Sequence, residues 1–145
     1  MYDEGTARVL ISKTNLYKRL YERVSKVIEA LTVIKGSLSN NQLSFEFAER
    51  EMNTAIEAVP GAIKGSNSFD TRYLPIMQES LSVISKTVEK NNDYIEAVGK
   101  ALEDADEKKE YYHEQYMAAY NELSYYRVTY SLELQASGLY DQSFI

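Results

Sequence analysis

The chain lacks cysteine and tryptophan, and it has only two prolines, six glycines and one histidine among its 145 residues. Without cysteine there can be no disulfide, no thiolate metal site and no cysteine nucleophile. Lysine and arginine never form a cluster longer than a pair, and the net charge is -6. Because nucleic acids and anionic membranes are bound through positive charge, we expect neither as a partner.

Long hydrophobic runs are missing as well. The N-terminus has no basic region followed by an apolar segment, and no stretch approaches the roughly 20 apolar residues that span a bilayer. We therefore expect cytoplasmic synthesis without a cleaved signal peptide, and no insertion into a membrane.

The chain does contain two long series of hydrophobic residues, spaced alternately three and four residues apart. This spacing places one apolar stripe along an α-helix and is typical of coiled coils. The first series is Tyr17, Leu20, Val24, Val27, Leu31, Ile34, Leu38, Asn41, Phe45, Ala48, Met52, Ala55 and Val59. The second is Leu74, Met77, Leu81, Ile84, Val88, Asn91, Ile95, Val98, Leu102, Ala105, Lys109, Tyr112, Tyr116, Ala119, Leu123, Tyr126 and Tyr130.

Helix-breaking residues concentrate between the two series, where Pro60, Gly61 and Gly65 occur among turn-forming polar residues. The sequence therefore predicts an all-α fold, a long antiparallel two-helix hairpin. We expect a flexible N-terminus over 1–7, a hairpin over 8–133 and a flexible tail over 134–145. Within the hairpin, the predicted helices are 8–58 and 71–133, and the predicted loop is 59–70. Residues 36–41 are weak in helix propensity, but the phase of the hydrophobic series favours one unbroken helix.

Antiparallel folding about this loop pairs residues whose numbers sum to about 132 or 133. Two of the polar residues in the series obey this sum, since Asn41 then lies opposite Asn91. A buried pair of amides can bond to each other, whereas a slip in register would place each against hydrocarbon. We predict that Asn41 and Asn91 fix the register. The alternative is a local weak point that admits water.

Catalytic chemistry has few candidate residues. Glu110 and His113 form one Glu-x-x-His motif, but di-iron carboxylate bundles need two such motifs and two further glutamates. No glycine-rich phosphate loop follows a strand. The sequence therefore predicts no enzyme, no cofactor and no metal site.

Tyrosine is the more informative residue type, because many of the 13 tyrosines lie in the last third of the chain. Aromatic rings outside the predicted hairpin contact favour binding to a protein partner, although loose packing inside the hairpin is the alternative. Either a different helical protein or a second copy would complete a four-helix bundle. The predicted partner-binding residues are Tyr21, Ile28 and Ile56 on the first helix and Tyr111, Tyr120 and Tyr125 on the second.

The predicted hairpin with its glycine-containing loop resembles the small helical substrates of ESX-type (type VII) secretion, whose hallmark is a Trp-X-Gly loop. The matching loop here is Ile63-Lys64-Gly65 with Phe69 after it, or alternatively Val59-Pro60-Gly61. The long arms and tyrosine-rich end look more like the small helical partners of Leu-X-Gly toxins. The chain departs from the family in having no tryptophan and no Tyr-x-x-x-Asp/Glu export signal after the second helix.

The resemblance implies a type VII secretion substrate, or a targeting factor or chaperone that binds a toxin's helical domain and is exported, if at all, without a cleaved signal peptide. The alternative is a structural coiled-coil component of a larger assembly, such as a phage particle or a scaffold. A one-to-one complex with a different helical protein would favour the first hypothesis, and a symmetric homo-oligomer the second.

Overall fold

The computed structural model describes the backbone of residues 1–61 and 68–144 and the side chains of residues 1–58 and 72–142. Helix α1 covers Glu4–Gly61, α2 covers Ser68–Thr129 and α3 covers Ser131–Ala136, and a short 3-10 helix covers Asp141–Phe144. The two long helices pack against each other, so the predicted all-α helical hairpin is confirmed. Helix α1 also continues without a break through residues 36–41, as the phase of the hydrophobic series predicted.

Two compact units divide this hairpin. The terminal unit comprises Met1–Ala30 and Leu102–Ile145, and the loop unit comprises Leu31–Ala101. Each unit contains one segment of α1 and one segment of α2. The candidate site described below lies wholly within the terminal unit.

The hydrophobic series predicted for α2 coincides with the packed face of that helix. Every position of the series, from Leu74 to Tyr130, is buried or half-buried. Ala105, Ala119 and Leu123 are the most buried of its apolar members.

The series predicted for α1 is only partly confirmed. Its half-buried members are Tyr17, Leu20, Val24, Leu31, Leu38, Phe45, Ala48 and Met52. Val27, Ile34, Asn41 and Ala55 are exposed, and Val27 and Ile34 keep 49% and 45% of their surface accessible. The side chain of Val59 lies outside the described residues. The inward-facing residues lie one position later, at Tyr21, Ile28, Gln42, Glu49 and Ile56, with Lys35 exposed. The apolar stripe of α1 is wider than two heptad positions, and α2 covers the edge that contains Gln42.

This shift changes the predicted register lock. Asn91 is 6% exposed, as expected for a buried amide, but Asn41 is exposed and does not face it. Instead Asn91 Nδ2 donates to Gln42 Oε1 at 2.7 Å and to the Leu38 carbonyl at 2.9 Å. The numbers of Gln42 and Asn91 still satisfy the predicted sum. The pairing was therefore predicted for the right layer and for the wrong residue of α1, one position away.

The prediction of a flexible N-terminus over 1–7 is wrong for this structure. Asp3 caps α1, because its carboxylate accepts hydrogen bonds from the Gly5 amide at 3.0 Å and the Thr6 hydroxyl at 2.8 Å. Ala7 is completely buried in the core of the terminal unit. Capping and burial together start the helix several residues before the predicted boundary.

The flexible tail predicted for 134–145 is also wrong. Helix α2 ends at Thr129, Tyr130 leaves helical geometry with φ −122° and ψ 36°, and α3 follows at once. Gly138, at φ 73°, then closes α3 in a Schellman motif: its amide donates to the Gln135 carbonyl and the Leu139 amide donates to the Leu134 carbonyl. Leu134 and Leu139, at 0% and 1% exposure, pack with Ala7, Leu10, Ile11 and Leu123.

The boundaries of the predicted loop also change. Helix α1 reaches Gly61 and α2 begins at Ser68, so both helices extend into the range 59–70. Pro75 lies inside α2, where its ring removes one backbone donor. The loop motif residues Ile63, Lys64 and Gly65 lie outside the described residues, as does the side chain of Phe69.

Candidate interaction surface

Three of the predicted partner-binding tyrosines are exposed. Tyr111, Tyr120 and Tyr125 keep 50%, 45% and 61% of their surface accessible. Each also contacts the ring of another tyrosine, which lies either on the opposite helix or nearby in the chain. Tyr111 meets Tyr17 edge-on at 6.4 Å between ring centroids, and Tyr125 meets Tyr130 edge-on at 6.5 Å. Such contacts hold an exposed ring in place and lower the entropy that it loses on binding a partner.

The other three predicted residues have a different place. Tyr21, Ile28 and Ile56 are half-buried in the inward-facing series of α1. The ring of Tyr21 lies 5.5 Å from that of His113, and Lys109 Nζ lies 5.6 Å from the centre of the Tyr21 ring. These contacts are within the hairpin, so Tyr21 supports the packing of α1 on α2.

Helix α1 has a second apolar stripe, which is more exposed than those three residues and is a better candidate for binding a partner. It contains Val9, Leu16 and Val27, all about half exposed, and the half-buried Leu20. Their spacing alternates between three and four residues once Lys13 and Arg23 are included, as on a helix that contacts a second helix. The prediction missed this stripe because it assigned Leu20 and Val27 to the contact with α2.

A matching stripe lies on α2. Tyr111, Ala118 and Tyr125 are exposed and follow one another at intervals of seven residues, the repeat of one helix face. Val128 and Leu132 extend the apolar surface toward the end of the chain, at 84% and 76% exposure.

Both stripes lie on one side of the terminal unit. A groove between α1 and α2 on this side is lined by Lys13 of the first stripe, by Ala118 of the second and by Glu122. Leu10, Tyr17, Gln115 and Ala119 complete its lining. We name this side, with Leu16, Leu20 and Val27 on α1 and Tyr111, Ala118 and Tyr125 on α2, the aromatic side. A helix laid into the groove would cover apolar residues from both stripes.

A shallow pocket on the opposite side of the terminal unit is lined by Tyr21, Asp106, Lys109, Glu110 and His113. Within the part of the chain that the structure describes, no group of three or more histidine, aspartate or glutamate side chains is arranged to hold a metal ion.

A cluster of aromatic rings joins the N-terminal residues to the end of α2. Tyr2 packs at 6.1 Å from Tyr126 and 5.6 Å from Tyr130, and its hydroxyl lies 3.0 Å from Ser137 Oγ. Partial burial, and then the nearby charges of Tyr125, Tyr126 and Glu133, raise the pKa of Tyr130 above its usual value. The phenol of Tyr130 therefore remains neutral at any physiological pH.

Comparison with known protein families, with curated proteins and with solved structures finds no match to this chain. Among the described helices, none contains a segment long and apolar enough to cross a membrane. The aromatic side is thus the feature of the molecule from which a function can be argued.

Proposed function

We propose that this chain is a non-enzymatic interaction protein that pairs with another helical protein through the aromatic side. The observation that carries the proposal is the pair of exposed apolar stripes, with Leu16 on α1 and Tyr125 on α2, separated by a groove. Contiguous exposed apolar surface is uncommon on a protein that acts alone and typically marks a binding site. Heptad spacing on both stripes fits the apolar face of a partner helix.

The resemblance to type VII secretion proteins gives this proposal its leading partner class, the helical domain of an exported toxin. The hairpin architecture supports it. On this hypothesis the chain is a substrate or a targeting or chaperone subunit of that system. The fold leaves room for the alternative of a structural coiled-coil component, which differs in that its partners are further copies within an assembly.

The test is co-expression with the helical product of the adjacent gene, followed by size-exclusion chromatography with light scattering. We expect a one-to-one complex that Leu16→Lys and Tyr125→Lys each abolish, since each places a charge in the apolar contact. Val83→Lys, which changes a residue of the loop unit that is 61% exposed, is the matched control and should leave the complex intact. A complex that survives both substitutions on the aromatic side would contradict the proposal.

A further inference from the structure

The two helices of the terminal unit carry opposite charge. Residues 8–26 of α1 contain six basic side chains and one acidic side chain: Arg8, Lys13, Lys18, Arg19, Arg23 and Lys26 against Glu22. Residues 103–122 of α2 contain seven acidic and two basic side chains: Glu103, Asp104, Asp106, Glu107, Glu110, Glu114 and Glu122 against Lys108 and Lys109. The terminal unit is therefore basic along one helix and acidic along the other.

This polarity extends to the aromatic side. Lys13 and Arg23 interrupt the apolar stripe of α1, whereas Glu107 and Glu122 lie beside the stripe of α2. All four side chains are exposed. Among the described residues the ion pairs join Arg8 to Glu4 and Lys100 to Glu96, so none of these four takes part in one. The side that exposes the apolar stripes thus presents positive charge along α1 and negative charge along α2.

We infer that the occupant of the aromatic side is the aromatic side of a second copy of this chain, related by a two-fold axis parallel to the helices. A two-fold contact uses the same surface on both copies, so that surface must complement itself. Rotation about an axis parallel to the helices places α1 of each copy on α2 of the other, basic edge on acidic edge. The helices that meet are then antiparallel, as they are within the hairpin, and a four-helix bundle results.

The other two-fold arrangement is excluded by the same charges. An axis that runs across the helices at the level of residue 18 would place α1 on α1 and α2 on α2, with Lys13 of one copy near Arg23 of the other and Glu107 of one copy near Glu122 of the other. Like charges in close contact disfavour an interface, while opposite charges fix its orientation. The charge distribution therefore selects one of the two ways in which the aromatic sides can face each other.

The symmetry fixes the register of this contact. Rotation about an axis parallel to the helices leaves every residue at its own level, so residues that face each other keep the sum of about 133 that holds within the terminal unit, as for Tyr21 and His113. Arg23 then lies between Glu107 and Tyr111 of the second copy, and Leu20 lies beside Tyr111. Lys13 falls between Ala118 and Glu122, where its ammonium group can contact the carboxylate.

This inference rests on the proposed function for its binding surface, and it makes the partner a second copy, which favours the structural alternative over the toxin domain. The test is sedimentation equilibrium of the chain alone in low salt, with the charge reversals Arg23→Glu and Glu107→Arg. We expect a dimer whose Kd each reversal weakens by about tenfold or more, and whose Kd rises with salt concentration. Glu110→Arg, the same charge change on the opposite side, is the control and should leave the Kd unchanged.

Mixing the two variants gives the decisive measurement. When α1 of one copy meets α2 of the other, a mixture of the Arg23→Glu and Glu107→Arg chains forms a heterodimer in which both contacts again join opposite charges. The mixture should therefore regain the wild-type Kd within about threefold, although each variant alone is weak. Circular dichroism of each variant shows whether it is folded, and the recovery on mixing can only come from folded chains.

Three outcomes would overturn the inference: a chain that stays monomeric at high micromolar concentration, reversals that weaken the dimer without recovery on mixing, or an Arg23→Glu chain that dimerises more tightly. The last would indicate that α1 meets α1. A monomer that still forms a complex with a different helical protein, lost on Leu16→Lys, would overturn self-association and leave the proposed function standing. Failure of both measurements would reject both.

Discussion

The amide pair between Gln42 and Asn91 offers the sharpest test of the packing of α1 on α2. Asn91→Ala removes two hydrogen bonds, at 2.7 and 2.9 Å, and leaves Gln42 Oε1 without its donor in a buried position. At about 1 kcal/mol per hydrogen bond, together with the cost of an unpaired buried oxygen, we expect a loss of about 2 to 3 kcal/mol in unfolding free energy. Gln42→Ala should cost less, about 1 to 2 kcal/mol, because Asn91 keeps its bond to the Leu38 carbonyl.

The measurement is a double-mutant cycle in which circular dichroism monitors urea denaturation. All variants are compared at one protein concentration, because self-association adds to apparent stability. The loss of unfolding free energy in the double variant should be smaller than the sum of the two single losses, by about 1 kcal/mol or more. Asn41→Ala is the matched control: this neighbouring amide is exposed, so its substitution should change stability by only a few tenths of a kcal/mol and add independently to Asn91→Ala. Coupling of Asn91 to Asn41 in place of Gln42 would refute the register described above.

Three further predictions concern the end of the chain. Leu134→Ala should cost about 2 to 5 kcal/mol in urea denaturation because Leu134 is fully buried, whereas the exposed Leu132→Ala should cost under about 0.5 kcal/mol; equal effects would mean that α3 does not pack. Because the folded pKa of Tyr130 is raised, its contribution to stability is present below the unfolded pKa and is lost as pH rises above it; Tyr130→Phe should reduce this alkaline loss in melts taken above about pH 10, and an unchanged pH profile would contradict the assignment. Gly138→Ala should cost about 1 to 2 kcal/mol in the same denaturation assay, through its φ of 73° alone, since no atom lies within 4 Å of an added Cβ; an unaltered midpoint would show that the turn relaxes.

Sequence periodicity predicted the architecture because long heptad spacing has few other solutions. For α2 it also predicted the packed face, since that helix has a single continuous apolar series. Helix α1 has two overlapping series, one through Leu20 and Val27 and one through Tyr21 and Ile28, which differ by one residue. Periodicity alone cannot tell which of two adjacent series faces α2, because both are apolar. Gln42 lies in the second series, and a buried amide there signals packing that a count of hydrophobic residues ignores.

The two chain ends were missed for a different reason. A six-residue helix closed by a glycine turn is too short to show a hydrophobic period, so periodicity did not indicate that Leu134 and Leu139 pack together. Local signals were nonetheless present: Asp3 has the spacing of a helix cap before Thr6, and Ser137-Gly138-Leu139 is typical of a Schellman turn with its apolar contact. The charge difference between α1 and α2 was equally visible in the sequence. It became informative only when the structure placed Lys13 and Glu122 at one groove.

The hydrogen bond between Tyr2 and Ser137 joins positions near both termini, so the backbone almost closes into a ring. A short peptide linker could therefore connect the residues around Tyr2 to those just after Ser137 without disturbing the helices, and the chain could be opened elsewhere as a circular permutant. The same closure determines how the molecule responds to mechanical tension. Force applied at the two ends would act first on the rings of Tyr2, Tyr126 and Tyr130. Helices α1 and α2 would begin to separate only after these ring contacts were lost.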